Sequence, residues 1–201
     1  MGITKRIKDR IFGQPLNELI TDIRIYTKQI RRTQQRFDKR VNELRDKAKQ
    51  EILGGESSRA KMYMQQSLKA KNTAFSLDMF VLAMEDLAFD LQNASSVNMM
   101  APVMGKISKS LGKLDLLKTG NVSQIMGKVN SQIERAGFSI EQIYDDIRDY
   151  EPFSISTLTD ESVDLELDKL TEEVMAEGPA MGLPPSKLSE LEKKRDELRN
   201  K

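Results

Sequence analysis

The stretch from Leu16 to Ile52 constrains the fold more than any other part of this sequence. Apolar or near-apolar residues recur along it at steps of three or four positions: Leu16, Leu19, Ile23, Tyr26, Ile30, Thr33, Phe37, Val41, Leu44, Ala48 and Ile52. This spacing predicts one stripe along a single helix, about 55 Å long at 1.5 Å per residue. The stretch contains neither Pro nor Gly and ends at Gly54-Gly55, where a tight turn costs little.

The side of this helix opposite the stripe is basic. Between Arg24 and Arg40 a single acid, Asp38, accompanies seven basic residues, which we call the cationic face: Arg24, Lys28, Arg31, Arg32, Arg36, Lys39 and Arg40. Such a helix needs a partner helix along its apolar stripe and favours an anionic surface along its cationic face.

The composition argues against an enzyme. The chain has 201 residues, no Cys and no His, so its sequence excludes disulfides, thiolate chemistry and imidazole catalysis. The paired acids Asp145-Asp146 are the best candidate for binding Mg²⁺, but neighbours on a helix point about 100° apart. No glycine-rich phosphate loop accompanies them. We therefore expect no catalytic residue, no cofactor and no metal site.

The charge is divided between the two ends of the chain. Residues 1–50 contain 14 basic and 6 acidic residues, whereas residues 139–177 contain 13 acidic and 2 basic residues. This division indicates either two different partners or a contact between the two ends of the chain.

The first twelve residues form a separate amphipathic segment. Its apolar edge and its cationic flank consist of Ile3, Ile7, Ile11 and Phe12 and of Lys5, Arg6, Lys8 and Arg10. The pattern is typical of a helix that lies in a membrane interface. The alternative is an N-terminal tail that packs on a hairpin formed by the long helix and its partner helix.

A second long helix is predicted from about residue 57 to residue 93, which makes an antiparallel hairpin of residues 16–93. Its apolar stripe comprises Leu68, Phe75, Met79, Leu82, Leu87 and Leu91. We expect a bend or hinge over residues 93–104, which contain two serines and Pro102. Short helices should follow within residues 106–149, one of them from Ile107 and another behind a capping box of Ser139 and Gln142.

An acidic helix and a terminal leucine helix complete the predicted organisation. Thr159 should cap the acidic helix of residues 150–177, whose apolar residues are Val163, Leu167, Leu170 and Val174. Residues 178–201 combine a Gly/Pro-rich linker with a helix bearing Leu188, Leu191 and Leu198. The predicted fold is therefore all-α, elongated and conformationally switchable, with a hairpin-containing core of residues 13–149.

This order of elements resembles the ESCRT-III family, the charged multivesicular body proteins. The likeness is strongest from Lys106 to Asp149, a segment similar to that of the vacuolar sorting 2, 24 and 46 branch. The resemblance implies a non-enzymatic cytoplasmic protein that polymerises with itself and with sibling subunits. It also implies peripheral binding to anionic endosomal or division-site membranes and constriction or scission of membrane necks.

The resemblance also implies a site for a disassembling AAA ATPase. The family's C-terminal motif, acid-x-x-Leu-x-x-Arg-Leu-x-x-Leu-Lys, binds the microtubule-interacting-and-transport (MIT) domain of that ATPase. Here Leu191, Leu198 and Arg199 match the motif and Lys194 replaces its arginine. Leu188 occupies the acidic position and Arg195 the middle leucine position, so weak binding is expected.

The acidic segment suggests autoinhibition. Val163, Leu167, Leu170 and Val174 would pack on the hairpin, so that the closed chain hides its cationic face. Two alternatives to the membrane polymer remain, a plain coiled-coil scaffold and a helical protein that binds polyanions. Nucleic acid is not the expected partner, because Tyr26 and Phe37 fall on the apolar stripe and leave no stacking platform.

Overall fold

The computed structural model of the chain describes residues 13–94, 96–115, 122–151 and 159–177, together with positions 186, 189 and 193. These residues contain six helices and no strand, which confirms the predicted all-α class. The helices are α1 (Gly13–Gly54), α2 (Ser57–Asn93), α3 (Val97–Asp115), α4 (Val122–Arg135), α5 (Ile140–Asp146) and α6 (Asp160–Glu177).

The turn between α1 and α2 lies where the two glycines predicted it. Gly55 has φ 82°, a backbone conformation that glycine adopts without steric cost. The N–H of Gly55 donates to the carbonyl of Ile52 at 3.0 Å, and the N–H of Glu56 donates to that of Glu51 at 2.9 Å. These bonds satisfy carbonyls that the end of α1 leaves open.

The chain divides into two compact units. The first unit comprises Met1–Gln34 and Phe75–Ser154, and its described part contains the beginning of α1, the end of α2 and helices α3 to α5. The second unit comprises Gln35–Ala74 and Ile155–Lys201, and its described part contains the turn end of the hairpin and α6.

In the first unit, α2 buries a face different from the predicted one. Leu87 and Leu91 are buried as predicted, but Phe75, Met79 and Leu82 are 57%, 36% and 48% exposed. The buried residues instead follow steps of three and four through small side chains as well as large ones: Leu77, Phe80, Val81, Met84, Leu87, Ala88 and Leu91. A small residue such as Ala88 allows neighbouring helix backbones to approach closely, which favours burial of this face.

Aromatic packing joins the two long helices inside the first unit. Tyr26 of α1 and Phe80 of α2 are both buried, and their rings meet edge to face with centroids 6.3 Å apart. This is a favoured geometry for aromatic pairs. It fixes the register of the two helices at this level of the unit.

Most of the bend expected over residues 93–104 is helical instead, because α3 begins at Val97 rather than at Ile107. Ser96 caps this helix, since its Oγ accepts the N–H of Met99 at 3.4 Å and its carbonyl accepts the N–H groups of Met99 at 3.2 Å and Met100 at 3.1 Å. Pro102 lies inside α3 and removes one helical donor. The complete burial of Met100 and Met104 on either side of it offsets that loss.

A close approach at Gly105 joins α3 to the segment of α5. A Cβ atom at this position would lie 2.2 Å from Cγ2 of Ile143 and 3.2 Å from Cδ1 of Ile147. Ile143 and Ile147 are both buried, and Ser139 precedes α5 as its N-cap. The side chain of Ser139 does not make the predicted capping hydrogen bond.

We predict different effects on stability for two glycine-to-alanine substitutions in α3. Gly105→Ala should lower the free energy of unfolding by about 1–3 kcal/mol, the usual cost of overpacking. Gly112→Ala is the matched control, because its Cβ would meet only Sδ of Met126 at 3.9 Å. The control should be neutral or stabilising by up to about 1 kcal/mol, the helix propensity gained. Urea unfolding followed by circular dichroism measures both, and equal shifts in the same direction would contradict the close approach.

Candidate functional site

The structure places every residue of the cationic face on the surface. Arg24, Lys28, Arg31 and Arg32 are exposed in the first unit, and Arg36, Lys39 and Arg40 are exposed in the second. Two of these arginines contact the end of α2. Arg24 donates to Oε1 of Gln92 at 2.7 Å, and Arg31 donates to both carboxylate oxygens of Glu85 at 2.9 and 3.0 Å.

The ion pair of Arg31 leaves its charge accessible. The side chains of Arg31 and Glu85 are 50% and 48% exposed, so solvent screens the pair and it contributes little to stability. Lys28 and Arg32, one turn apart on the same helix, are also exposed. An anion approaching the first unit from this side therefore meets cations that are already in water.

In the second unit, α6 packs on the turn end of the hairpin through the four apolar residues that the sequence singled out. They form one buried cluster with residues of α1 and α2: Ala48, Ile52, Ala60, Met64, Leu68, Val163, Leu167, Leu170 and Val174. The residues from α6 are at most 2% exposed. Burying a Leu or Val side chain contributes about 1.5–3 kcal/mol, so this cluster is the main source of the attachment.

The sequence of α6 explains why a helix forms there. Oγ1 of Thr159 accepts the N–H of Ser162 at 3.3 Å, which confirms the predicted cap. Asp160 and Glu161 lie in the first turn, where the positive end of the helix dipole favours acids.

Ion pairs surround the apolar contact of α6. Glu173 accepts hydrogen bonds from Arg45 at 2.5 Å and from Lys49 at 3.0 Å, and Glu177 accepts from Lys49 at 3.2 Å. On the other side, Lys61 of α2 pairs with Asp164 at 2.6 Å. The acidic helix thus meets a basic partner at both edges.

None of these partners belongs to the cationic face, so the expectation that the acidic helix hides this face is wrong. Arg36, Lys39 and Arg40 remain exposed in the same unit as α6. The physical reason is the amphipathicity of both helices. A helix that buries valine and leucine must contact the apolar side of α1, and the cationic face lies on the other side.

The pKa values of two groups reflect this contact. The hydrogen bonds from Arg45 and Lys49 lower the pKa of Glu173 below its ordinary value of 4.5. Partial burial lowers the pKa of Lys49, but the hydrogen bonds to Glu173 and Glu177 outweigh it and raise this pKa above 10.5. Both shifts favour the charged forms that join α6 to α1.

A polar contact that the sequence analysis missed attaches the α5 segment to α3 in the first unit. The hydroxyl of the fully buried Ser108 donates to Oδ1 of Asn130 at 2.8 Å, and it lies 2.8 Å from the hydroxyl of Tyr144. Because the one proton of Ser108 goes to Asn130, Tyr144 is the donor in the second bond. Lys109 donates to the carbonyls of Ile147 at 3.2 Å and Arg148 at 2.9 Å, which close the end of α5.

Part of the predicted sites lies outside the described residues. These are the N-terminal membrane residues (Ile3, Lys5, Arg6, Ile7, Lys8, Arg10, Ile11 and Phe12) and the MIT-binding residues (Leu188, Leu191, Lys194, Leu198 and Arg199). Asp145 and Asp146 are described and exposed, and Asp145 pairs with Arg148 at 3.1 Å. Among the described residues no three His, Cys, Asp or Glu side chains gather as metal ligands, and no helix is long and apolar enough to cross a bilayer.

Comparison with known proteins gives one family. The family model described as Snf7 matches residues 15–197 of the chain. The curated proteins and the solved structures contain no significant match.

We predict that the attachment of α6 weakens at both extremes of pH. Because the pKa of Glu173 is lowered, its contribution is complete above pH 4.5 and is lost as the pH falls through the lowered value. Because the pKa of Lys49 is raised, its contribution is complete below pH 10.5 and is lost as the pH rises through the raised value. Between these limits the contribution should not change.

Glu173→Gln tests the acidic side of this prediction. At neutral pH it should lower the free energy of unfolding by at most about 1 kcal/mol per pair, the range for partly exposed ion pairs. This difference from the unmodified chain should shrink below pH 4.5, where the chain also loses the charge. The exposed Glu43 of α1 provides the control Glu43→Gln. Urea unfolding between pH 3 and 7 measures the difference, and one that does not depend on pH would contradict the role of Glu173.

Proposed function

The chain belongs to the Snf7 family of structural, polymer-forming ESCRT-III proteins that remodel membranes, and on that premise we propose that it polymerises on anionic membranes and constricts or severs membrane necks. It acts in the cytoplasm, bound peripherally to an endosomal or division-site membrane. We place the chain in the vacuolar sorting 2/24/46-like branch of the family. Its polymer contains copies of itself and sibling ESCRT-III subunits. It is not an enzyme.

Contact with the membrane is assigned to two cationic segments. The cationic face of α1 supports this assignment, because all seven of its side chains are exposed. A basic residue near an anionic membrane contributes about 1 kcal/mol, and salt screens this attraction. The amphipathic residues 1–12 add apolar side chains that enter the acyl boundary.

The single observation that carries the regulatory part of the proposal is the burial of Val163, Leu167, Leu170 and Val174 against the turn end of the hairpin. Helix α6 contains eight acids and one base, so it brings a net charge of −7 to the unit that carries Arg36, Lys39 and Arg40. This charge opposes approach to an anionic bilayer. We assign the attached form to the inactive subunit, and release of α6 to the step that permits membrane binding and assembly.

Disassembly is assigned to the C-terminal leucine helix. Leu191 and Leu198 would fill a groove of the MIT domain, and Lys194 and Arg199 would contact its rim. Position 188 lacks the acid of the motif and position 195 lacks its middle leucine. We therefore assign a weak affinity to this helix.

We predict that Leu170→Asp in the full chain releases α6 and promotes assembly. Leu170 is fully buried, and a buried unpaired carboxylate costs several kcal/mol, enough to invert a closed-to-open equilibrium. Leu165→Asp is the matched control, because it adds the same charge at a residue that is 57% exposed on the same helix.

Sedimentation with phosphatidylserine vesicles measures the protein concentration at which assembly begins. For Leu170→Asp this concentration should fall at least about tenfold, the factor that 1.4 kcal/mol produces. The control should resemble the unmodified chain. Equal values for the two variants would refute the closed form as a brake on assembly.

The MIT proposal predicts two opposite effects at the C-terminus. Leu198→Ala should weaken binding of the full chain to an immobilised MIT domain at least about tenfold, because the leucine is a buried anchor. Arg195→Leu should strengthen binding, because it restores the middle leucine of the motif. Absence of binding by both the unmodified chain and Arg195→Leu would disprove the assignment of this helix.

A further inference from the structure

Three residues of α2 that were predicted to be buried form, together with Phe89, an exposed apolar surface in the first unit. Phe75, Met79, Leu82 and Phe89, which we call the α2 stripe, are 57%, 36%, 48% and 64% exposed. Their steps of four, three and seven residues place them on one side of the helix. Contiguous exposed apolar surface of this kind marks a site of interaction.

Acidic residues flank the α2 stripe. From Phe75 to Asn93, helix α2 contains four acids and no basic residue. Glu85 pairs with Arg31, whereas Asp78, Asp86 and Asp90 are exposed. At about 100° per residue, Asp86 lies within the stripe, between Leu82 and Phe89, and Asp78 and Asp90 lie at its two edges. The surface is therefore both apolar and anionic.

This charge excludes two kinds of partner. An anionic bilayer would be repelled by the aspartates, so the α2 stripe does not suit a membrane. Two copies that met stripe against stripe would bring like charges together in a desolvated contact, which is unfavourable. A partner must instead combine an apolar side chain with positive charge.

The beginning of α1, in the same unit, has this composition. Ile25 is 52% exposed, and Lys28 and Arg32 follow it at three and seven positions, on the same side of the helix. Lys28 and Arg32 are both exposed. Ile25 can occupy the α2 stripe of another copy while the two cations meet Asp86 and Asp90.

We propose that the α2 stripe of one subunit binds the side of α1 that carries Ile25, Lys28 and Arg32 in a second copy of the chain. The inference rests on the proposed polymerisation and specifies its contact surface. Because the two surfaces differ, the contact is heterologous. When two subunits bind, one keeps a free α2 stripe and the other keeps a free α1 surface, and each of these can bind a further subunit. Repetition of the contact gives an open filament rather than a closed dimer.

The contact divides the cationic face between two uses. Lys28 and Arg32 are engaged by the neighbouring subunit, so lipid binding in the polymer falls to the other five residues of the cationic face and to residues 1–12. Residues 1–12 are also basic and apolar, which makes them the chief competitor for the α2 stripe. A disulfide between Leu82→Cys and Ile7→Cys would identify this alternative.

The absence of cysteine from the chain allows a clean crosslinking test. Full-length Ile25→Cys with an added affinity tag is mixed with untagged Leu82→Cys, assembled on phosphatidylserine vesicles and mildly oxidised. A disulfide forms only when the two Cβ atoms approach within about 4.5 Å, so its yield reports a direct contact. The yield of the tagged–untagged dimer should be at least about tenfold higher than when Leu165→Cys replaces either Ile25→Cys or Leu82→Cys. Leu165 is the control because its exposure is similar to that of Ile25 and Leu82.

Three results would overturn the proposed contact while polymerisation stands. They are a yield equal to that of the control, a predominant disulfide of Leu82→Cys with itself, and a predominant disulfide of Leu82→Cys with Ile7→Cys. If the cysteine-free chain does not assemble on the vesicles at all, the proposed function fails and the contact fails with it.

Exchange of charges provides an independent test. Asp86→Lys with Asp90→Lys, and separately Lys28→Glu with Arg32→Glu, should each raise the concentration needed for assembly at least about tenfold, because like charges then meet. An equimolar mixture of the two double variants should assemble again, since opposite charges are restored between them. Glu43→Lys with Asp46→Lys makes the same charge change at exposed acids of α1 and is the control. Mixed with the Lys28→Glu, Arg32→Glu variant, it should not restore assembly. Loss of lipid affinity alone would produce no rescue and would contradict the proposal.

Discussion

Helix α1 is amphipathic over its whole length, and the need to cover its apolar stripe determines the rest of the structure. In the first unit Phe80 of α2 packs edge to face on Tyr26 of this stripe and is fully buried. In the second unit the side chains beside Ala48 and Ile52 include those of α6 as well as those of α2. Because α6 belongs to the same apolar cluster as the hairpin, its position depends on hydrophobic burial first and on charge second.

The free-energy contributions of the two kinds of contact show that hydrophobic burial matters more than charge for the position of α6. The four ion-pair contacts of α6 involve partly exposed groups, and each such pair contributes about 0–1 kcal/mol. Each fully buried leucine or valine of α6 contributes about 1.5–3 kcal/mol. The ion pairs therefore specify the register and make the attachment sensitive to pH and salt, whereas the apolar cluster provides its strength. An anionic membrane surface competes only with the ion pairs, which are the weaker part of the attachment.

The elements that the sequence predicts correctly depend on local signals. The spacing of α1, the glycine turn at Gly55 and the cap at Thr159 each require only a few neighbouring residues. The same is true of the apolar side of α6, whose four residues are all buried. The start of α3 was missed, because Ser96 acts as a helix cap rather than as part of a loop.

The remaining differences require knowledge of tertiary packing. Which side of α2 turns inward depends on small residues such as Ala88, which a search for large apolar side chains passes over. The basic partners of α6, Arg45, Lys49 and Lys61, lie more than 100 positions away from it and follow from where the apolar cluster places the helix. The bond of Tyr144 to Ser108 likewise joins polar residues that no local pattern connects.

The central claim is that α6 is attached in the inactive subunit and released in the polymer. Hydrogen–deuterium exchange of residues 160–177 tests it most directly, measured for the full chain in solution and after assembly on phosphatidylserine vesicles. The account predicts slow exchange in solution and fast exchange in the polymer, with residues 16–30 of α1 protected in both. Equal protection of residues 160–177 in the two states would contradict it.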